Sequence, residues 1–365
     1  MRAVYFVQGK YPVNPIELEN LLARWNYYGL QLNQSTGTNW ITIISPFGFP
    51  ESEKKFPYLR IFSSSESFLG NLWLFYREIK SQRISATLIS GDFQFSLLFC
   101  FLASRLLKSR IKIQTQFHGD IYSRELNQGF KGKLRMASSR VAVSLSDNIR
   151  IVSRFQEIEL RKRFSGIRAE FVTSPIPVDF SRIAQRSSIP RHYDLALVGR
   201  LHYERGIAEA ILILKNLIAE MPEIKIVIVG QGPEEINIGT SLQSEIANGA
   251  IEIFGAATPK ELKNIYGRAR VLLSTAASEG YGLTLREAAL SGMHVVAREN
   301  QGTREAADDF PGVFSLYESV NQAEVEIREA LKQHSQLDNT SKYISEQQEK
   351  DRKNVEDLIR AWIKD

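Results

Sequence analysis

Cysteine is nearly absent from this sequence. Cys100 is the only cysteine in 365 residues, so no internal disulfide can form and no cluster of thiolates can bind a metal ion. Groups of His, Asp and Glu at the spacing of metal ligands are lacking as well. We therefore expect a protein of a reducing compartment that uses no bound metal and no other cofactor.

Long apolar runs are lacking too. The longest, FSLLFCFLASRLL from Phe95, reaches Arg105 too early to cross a bilayer. The opening segment MRAVYFVQGK holds a short apolar run that ends at Gln8, which predicts a first strand and not a secretory signal. These features predict a cytoplasmic protein without a transmembrane helix.

The two halves of the chain differ in charge. Residues 1–190 carry 26 Lys and Arg against 14 Asp and Glu, a net charge of +12, whereas residues 191–365 carry a net charge of −7. A strongly basic half indicates an anionic partner. We expect this half to lie on an anionic membrane surface, with the protein peripheral at the inner face of the membrane. An anionic glycan acceptor is the alternative partner.

The candidate membrane contact is GFKGKLRMASSR, residues 129–140. Its apolar residues are Phe130, Leu134 and Met136, and its basic residues are Lys131, Lys133, Arg135 and Arg140. This combination is typical of a helix that lies in a membrane interface.

The order of strand-like and helix-like segments indicates two α/β domains. In the first half AVYFV is followed by PIELENLLARW, and the same alternation restarts at LALVGR and continues to HVVAR. Such alternation predicts parallel strands joined by crossover helices. Prolines and small polar residues between positions 174 and 194 predict a linker. We predict an N-terminal domain at 1–180, a linker at 181–193, a C-terminal domain at 194–340, and a C-terminal helix at 341–365 that packs back on the N-terminal domain.

The segment SEGYGLTLREAALSG, residues 278–292, is the strongest candidate site. Two glycines separate a predicted strand from a predicted helix, and the unpaired amides of a helix start attract phosphate. Glu279 precedes the glycines, and Glu287 lies on the second turn of the helix. A carboxylate beside a bound phosphate is suited to the hydroxyl groups of a ribose or another polyol. The pattern therefore predicts a site for a nucleotide sugar.

With its neighbours, this segment resembles the donor site of the retaining glycosyltransferases of the glycosyl transferases group 1 family (family four), which have the GT-B fold. Further segments follow in the order of that family: FHGD at 117–120, then LVGRLHYERG, IVIVGQGPEE and FGAATPKELKNIY, and after the site AALSGMHVVARENQGTRE. The resemblance implies an α/β protein of two doubly wound, Rossmann-like domains that face a cleft.

The resemblance also implies a role for each site residue. Glu279 and His118 would contact the transferred sugar, and Glu287 would bind the ribose. Arg200 and Arg205 would neutralise the leaving diphosphate as the glycosidic bond breaks, without a metal ion. The other donor contacts would be the amides of Gly280, Tyr281, Gly282, Leu283 and Thr284.

The implied function is transfer of a sugar from a nucleotide-sugar donor to a glycan or lipid-linked acceptor, in the synthesis of a cell-envelope polysaccharide or glycolipid. A nucleotide-sugar epimerase or hydrolase on the same fold is one alternative, but it needs acid and base groups in the first half that the residues do not identify. A nucleic-acid-binding protein is another. Tyr27, Tyr28 and Phe130 are not interleaved with basic residues as a base-stacking platform requires, so we expect no nucleic acid partner.

Overall fold

The computed structural model describes residues 2–9, 15–37, 40–49, 56–62, 67–91, 95–118, 129–184, 190–333 and 340–364. The chain divides into two compact units. One unit holds Met1–Pro175 together with Arg352–Asp365, and the other holds Ile176–Asp351. The first boundary therefore lies before the predicted domain end at residue 180, and the last residues of the chain group with the first unit.

The first unit is a parallel sheet with helices on both faces. Its strands are β1 (Arg2–Val7), β2 (Ile41–Ile44), β3 (Leu59–Phe62), β4 (Ser85–Ser90), β5 (Ile111–Gln116), β6 (Asn148–Ile151) and β7 (Glu170–Thr173). Its helices are α1 (Pro15–Thr36), α2 (Phe68–Gln82), α3 (Phe95–Leu107), α4 (Gly129–Leu145) and α5 (Arg154–Arg163). The described strands lie in the order β3-β2-β1-β4-β5-β6-β7, and each neighbouring pair is parallel.

The alternation of side chains along β1 builds a core on each face of this sheet. Val4 and Phe6 pack with Trp25 on one face, whereas Tyr5 and Val7 contribute to a separate cluster on the other. Successive side chains of a strand point to opposite faces, so an apolar run such as AVYFV fills both cores.

The second unit repeats this architecture. Its strands are β8 (Tyr193–Val198), β9 (Ile226–Val229), β10 (Ile251–Gly255), β11 (Ala269–Ser274), β12 (His294–Arg298) and β13 (Phe314–Tyr317). Its helices are α6 (Ile207–Glu220), α7 (Glu235–Ser241), α8 (Gln243–Ala247), α9 (Pro259–Arg268), α10 (Leu283–Leu290), α11 (Gln301–Asp309) and α12 (Val320–Gln333). The described strands lie in the order β10-β9-β8-β11-β12-β13, again all parallel. Two doubly wound α/β units confirm the predicted fold class.

The last helix, α13 (Thr340–Ile363), begins in the second unit and ends in the first. Its residues Leu358, Ile359 and Trp362 are buried in the same apolar cluster of the first unit as Leu22 and Trp25. Among the described residues, no helix combines the length and the hydropathy that crossing a bilayer requires.

Candidate functional site

The loop that follows β11 leads directly into the start of α10. Gly282 is the N-cap, with a φ of +69°, and it provides no side-chain cap. The first amides of a helix have no partner within the helix, so those of Leu283 and Thr284 keep their donors available. The structure therefore has a helix start, flanked by glycines, where the sequence predicts one.

A second loop, between β8 and α6, is held against the first. Gly206 has a φ of +68°, and a Cβ atom at this position would lie 2.2 Å from the carbonyl oxygen of Thr275. The Thr275 hydroxyl donates a hydrogen bond of 2.7 Å to the carbonyl of Arg205. A side chain at position 206 would push the loops apart, so glycine is required where Arg205 meets the loop of Glu279.

The two loops bring Arg205 and Glu279 together. The Arg205 guanidinium donates to the Glu279 carboxylate. Burial raises the pKa of Glu279, and the positive charge of Arg205 acts in the opposite direction. A pocket with about 400 Å³ of open space is lined by both residues and by Arg200 and Thr284. A cation, a carboxylate and the start of α10 therefore lie together at the edge of this pocket.

Arg200 lies at the exposed side of this pocket. Its side chain is 70% exposed and pairs with Glu204 at 2.8 Å. An ion pair as exposed as this one contributes little to stability, so Arg200 can exchange Glu204 for another anion at low cost.

Glu287 lies on the second turn of α10 and is buried. Its Oε2 accepts a hydrogen bond of 3.1 Å from the Tyr266 hydroxyl, and its Oε1 lies 3.5 Å from Nη1 of Arg182. Burial raises the pKa of Glu287 to about 7, although the charge of Arg182 lowers it. A buried carboxylate with a neighbouring cation is ready to accept hydrogen bonds from hydroxyl groups of a ligand.

A buried arginine, Arg286, holds the loop between β11 and α10 in position. Arg286 is fully buried, its Nε donates to the Tyr281 carbonyl at 3.1 Å, and its Cζ lies 4.0 Å from the centre of the Tyr281 ring. Its Nη1 pairs with Asp309. The Tyr281 hydroxyl in turn accepts a hydrogen bond of 3.1 Å from Gln347 on α13. Both ends of Tyr281 are therefore fixed.

The segment that starts α11 closes the other side of the loop. Asn300 caps α11 and donates 3.1 Å to the carbonyl of Ala276. A Cβ atom on Gly302 would lie 2.1 Å from the Glu279 carbonyl oxygen. The two backbone segments can approach this closely only because position 302 has no side chain. Their contact fixes the position of Glu279 in the pocket.

His118 belongs to the first unit, directly after β5. Its Nε2 lies 2.8 Å from Oε1 of Gln116. The other predicted members of the FHGD segment, Gly119 and Asp120, lie outside the described residues.

Sequence reasoning missed several residues that hold the site. These are Arg182, Tyr266, Asn300 and Gly302, together with the pair Arg286 and Asp309. Only Gly302 carried a signal, because glycine is the residue type that permits a close approach of two backbones. Arg182 stands in the predicted linker, where nothing in the sequence links it to Glu287.

Metal ligation has no evident place in the described residues, where groups of three or more His, Cys, Asp or Glu arranged to hold an ion are not found. The expectation of a metal-independent site stays a prediction.

Part of the chain is similar in sequence to known N-acetylglucosaminyltransferase subunits. The gpi3 subunit of phosphatidylinositol N-acetylglucosaminyltransferase from Schizosaccharomyces pombe is 25% identical over 111 residues, which are 30% of this chain and 24% of that protein. The GtfA subunit of UDP-N-acetylglucosamine–peptide N-acetylglucosaminyltransferase from Streptococcus gordonii is 29% identical over 167 residues, 46% of this chain and 32% of that protein. The matched region thus spans a third or less of these relatives.

Solved structures share the fold over a larger part of the chain. The glycosyltransferase WaaG, involved in lipopolysaccharide biosynthesis, superposes with a TM-score of 0.68 at 13% identity, covering 99% of this chain and 100% of that one. The pneumococcal O-GlcNAc transferase GtfA, solved with UDP and GlcNAc, gives 0.61 at 18% identity, covering 83% of this chain and 61% of that one. The protein therefore has the GT-B fold.

The family profile described as "Glycosyl transferases group 1" matches residues 180–362, half of the chain, and includes every candidate site residue of the second unit. The chain therefore belongs to the glycosyl transferases group 1 family.

Proposed function

We propose that this protein is a retaining glycosyltransferase that moves a sugar from a nucleotide-sugar donor to a hydroxyl group of a glycan or a lipid-linked acceptor. The observation that carries the proposal is the Arg205–Glu279 pair at the edge of a pocket that also holds the start of α10. A diphosphate and a polyol are the two groups that this pairing suits.

The diphosphate end of the donor meets positive charge in this assignment. Arg205 and Arg200 bind its oxygens, and the amides of Leu283 and Thr284 donate to it at the helix start. When the diphosphate replaces Glu279 as the partner of Arg205, the carboxylate becomes available to the hydroxyl groups of the sugar. The same exchange gives each member of the Arg205–Glu279 pair its own partner on the donor.

The ribose belongs to Glu287 in this assignment. Both carboxylate oxygens accept hydrogen bonds from vicinal hydroxyls, and Tyr266 and Arg182 hold the carboxylate in position. The amides around Gly280, Tyr281 and Gly282 serve the sugar. His118, from the first unit, remains a further predicted contact of the sugar.

The reaction breaks the bond between the anomeric carbon and the β-phosphate oxygen. The electron pair stays on that oxygen, the acceptor oxygen bonds to the anomeric carbon, and the acceptor proton passes to the leaving phosphate. Retention means that the acceptor enters on the face that the phosphate leaves. Two arginines and a helix start stabilise the developing negative charge, so the proposal requires no metal ion.

UDP-N-acetylglucosamine is the first donor to test, because the relative from Streptococcus gordonii is a subunit of a UDP-N-acetylglucosamine–peptide N-acetylglucosaminyltransferase. The acceptor is proposed to be membrane-bound. Helix α4 supports this, since Phe130, Leu134 and Val141 are exposed at positions that share one face. Exposed Lys133 and Arg140 lie beside that face. Met136 departs from the sequence expectation, because it packs against an apolar cluster of its own unit.

A screen of nucleotide sugars by thermal shift tests the proposal, because a ligand that binds only the native state raises its melting temperature. We expect one or a few nucleotide sugars to raise the melting temperature. In the proton NMR spectrum of the transfer product, the anomeric proton should show the same configuration as in the donor. An inverted product would refute retention. Donor turnover that needs no acceptor would favour the hydrolase or epimerase.

A further inference from the structure

A row of polar side chains runs through the first unit beneath His118. Gln114, Gln116 and His118 occupy alternate positions along and just beyond β5, so they share one face of the sheet. Gln114 and Gln116 are both buried. Buried amides need hydrogen-bond partners, and a row of them settles into one arrangement when its ends are fixed.

Helix α13 fixes the far end of the row in two independent ways. The indole Nε1 of Trp362 lies 2.8 Å from Oε1 of Gln114, and an indole nitrogen can only donate. The carbonyl of Ala361 lies 3.4 Å from Nδ2 of Asn148, and a carbonyl can only accept. Oδ1 of Asn148 is then left to accept the 2.5 Å bond from Nε2 of Gln114. Both contacts demand the same orientation of the Gln114 amide.

This orientation passes along the row to the imidazole. Because Oε1 of Gln114 accepts from Trp362, the atom of Gln116 that lies 3.3 Å from it is the donor Nε2. The oxygen Oε1 of Gln116 therefore faces Nε2 of His118, at 2.8 Å. An amide oxygen can only accept, so the imidazole nitrogen must carry the proton.

We propose that Trp362, acting through Gln114 and Gln116, fixes His118 as the Nε2–H tautomer and leaves its Nδ1 as a hydrogen-bond acceptor. Trp362, Gln114 and Gln116 are positioning residues, because each acts through the next one. The pKa of His118 is lowered by desolvation and by the positive charges of Arg150 and Arg24, but the side chain is exposed, so the hydrogen bond with Gln116 and not burial carries the assignment.

The consequence for catalysis rests on the proposed function. A neutral His118 with its lone pair on Nδ1 accepts a hydrogen bond from a sugar hydroxyl, but it cannot act as a proton donor through that nitrogen. The row therefore assigns His118 to recognition of a hydroxyl group, and the end of the last helix controls it from within the same unit.

Long-range proton–nitrogen NMR correlations on the nitrogen-15-labelled full chain, recorded at a pH where His118 is neutral, read the tautomer directly. The chain has five histidines, and loss of one signal set in His118→Ala assigns the resonances. We expect wild type to show only the Nε2–H tautomer. An Nδ1–H tautomer in wild type would overturn the proposal.

Two variants test the relay itself. Trp362→Phe removes the donor at its far end, and Gln116→Met removes the direct partner of the ring, so we expect both to show a mixture of tautomers. The matched control is Trp25→Phe, because Trp25 is buried in the same cluster with its ring centroid 6.2 Å from that of Trp362. A single Nε2–H tautomer in both relay variants, or a mixture in the control as well, would contradict the relay. If Trp362→Phe does not fold, the tautomers of His118 in wild type and in Gln116→Met test the proposal.

Donor kinetics separate this inference from the proposed function. Trp362→Phe should raise the donor KM by about 2- to 10-fold relative to Trp25→Phe, as expected for one neutral hydrogen bond. A wild-type protein that turns over no nucleotide sugar contradicts the proposed function and leaves the tautomer intact. If wild type turns over the donor and the donor KM is the same in Trp362→Phe and Trp25→Phe, the tautomer has no role in sugar recognition.

Discussion

The guanidinium of Arg286 lies 4.0 Å from the ring centre of Tyr281 and donates to the carbonyl of the same residue at 3.1 Å. One buried side chain thus holds both the ring and the backbone of the residue at the centre of the candidate donor loop. Arg286 also pairs with Asp309, which is shared with Lys350.

Replacement of Arg286 should therefore affect the loop as well as stability. We expect Arg286→Met to lower the free energy of unfolding by about 3 kcal/mol, because one partner of a buried ion pair is lost. It should also weaken donor binding. Lys350→Met is the control, because it removes the other cation from Asp309 and leaves Tyr281 held. Denaturant unfolding and donor titration check both effects, and equal donor affinities in the two variants would argue against loop support.

Glu287 should make stability and donor binding respond to pH in opposite directions. Its pKa is raised from 4.5 to about 7 by burial, so the folded protein binds a proton between these values that the unfolded chain releases. The contribution to stability is complete below pH 4.5 and is lost as the pH rises through about 7, by on the order of 3 kcal/mol. Donor binding, which uses the carboxylate, should strengthen over the same range.

The variant Glu287→Gln separates these effects. It should be more stable than wild type at pH 8, where the buried charge is removed, and it should lose most donor affinity at every pH. Unfolding and binding measured from pH 5 to pH 8 provide the test. If stability changes with pH to the same extent in wild type and in Glu287→Gln over this window, Glu287 does not carry the shift.

Membrane association should depend on α4. Basic residues near an anionic surface contribute about 1 kcal/mol each, and salt screens this attraction. We expect the protein to sediment with anionic vesicles at low salt and to be released at high salt. Neutralising Lys131, Lys133 and Arg135, or changing exposed Phe130 to Ser, should abolish sedimentation.

A matched control for this contact is neutralisation of Arg161, Lys162 and Arg163 on α5. These three residues carry the same total charge in the same unit. Equal losses of vesicle binding in the two triple variants would show a general effect of charge and not a contact through α4.

Sugar transfer should continue in the presence of a chelator. The proposed site neutralises the diphosphate with Arg200 and Arg205, so removal of divalent cations should leave the rate within about twofold. Product formation with and without excess EDTA measures this. Complete loss of activity that returns with added metal would contradict the assignment of both arginines.

The strands with a clear apolar run were predictable from sequence, whereas β3, β7 and β13 were not. All three lie at the edges of the sheets, where one side meets solvent. Segments such as LRIF and EFVT are partly polar, and they lack the apolar run of a strand buried on both faces.

The candidate site shows the same division. The loop of Glu279 was predictable because glycines, a preceding strand and a following helix are local features of the sequence. The contact of Glu287 with Arg182 joins positions 105 residues apart, and the stacking of Arg286 on Tyr281 depends on burial. Neither leaves a periodic signal. Long-range pairings of this kind come from packing, which single-sequence patterns do not encode.

In the proposed function, the pocket of the second unit binds the diphosphate of a nucleotide sugar through Arg205. Calorimetric titration of UDP-N-acetylglucosamine into wild type, Arg205→Lys and Arg205→Ala tests it most directly. Arg328→Ala is the control, because Arg328 is 30% exposed and paired with Glu220, much as Arg205 is 33% exposed and paired with Glu279. We predict binding in wild type and the control, intermediate affinity in Arg205→Lys, and at least about tenfold weaker binding in Arg205→Ala. Equal affinities in Arg205→Ala and Arg328→Ala would show that Arg205 does not bind the donor diphosphate.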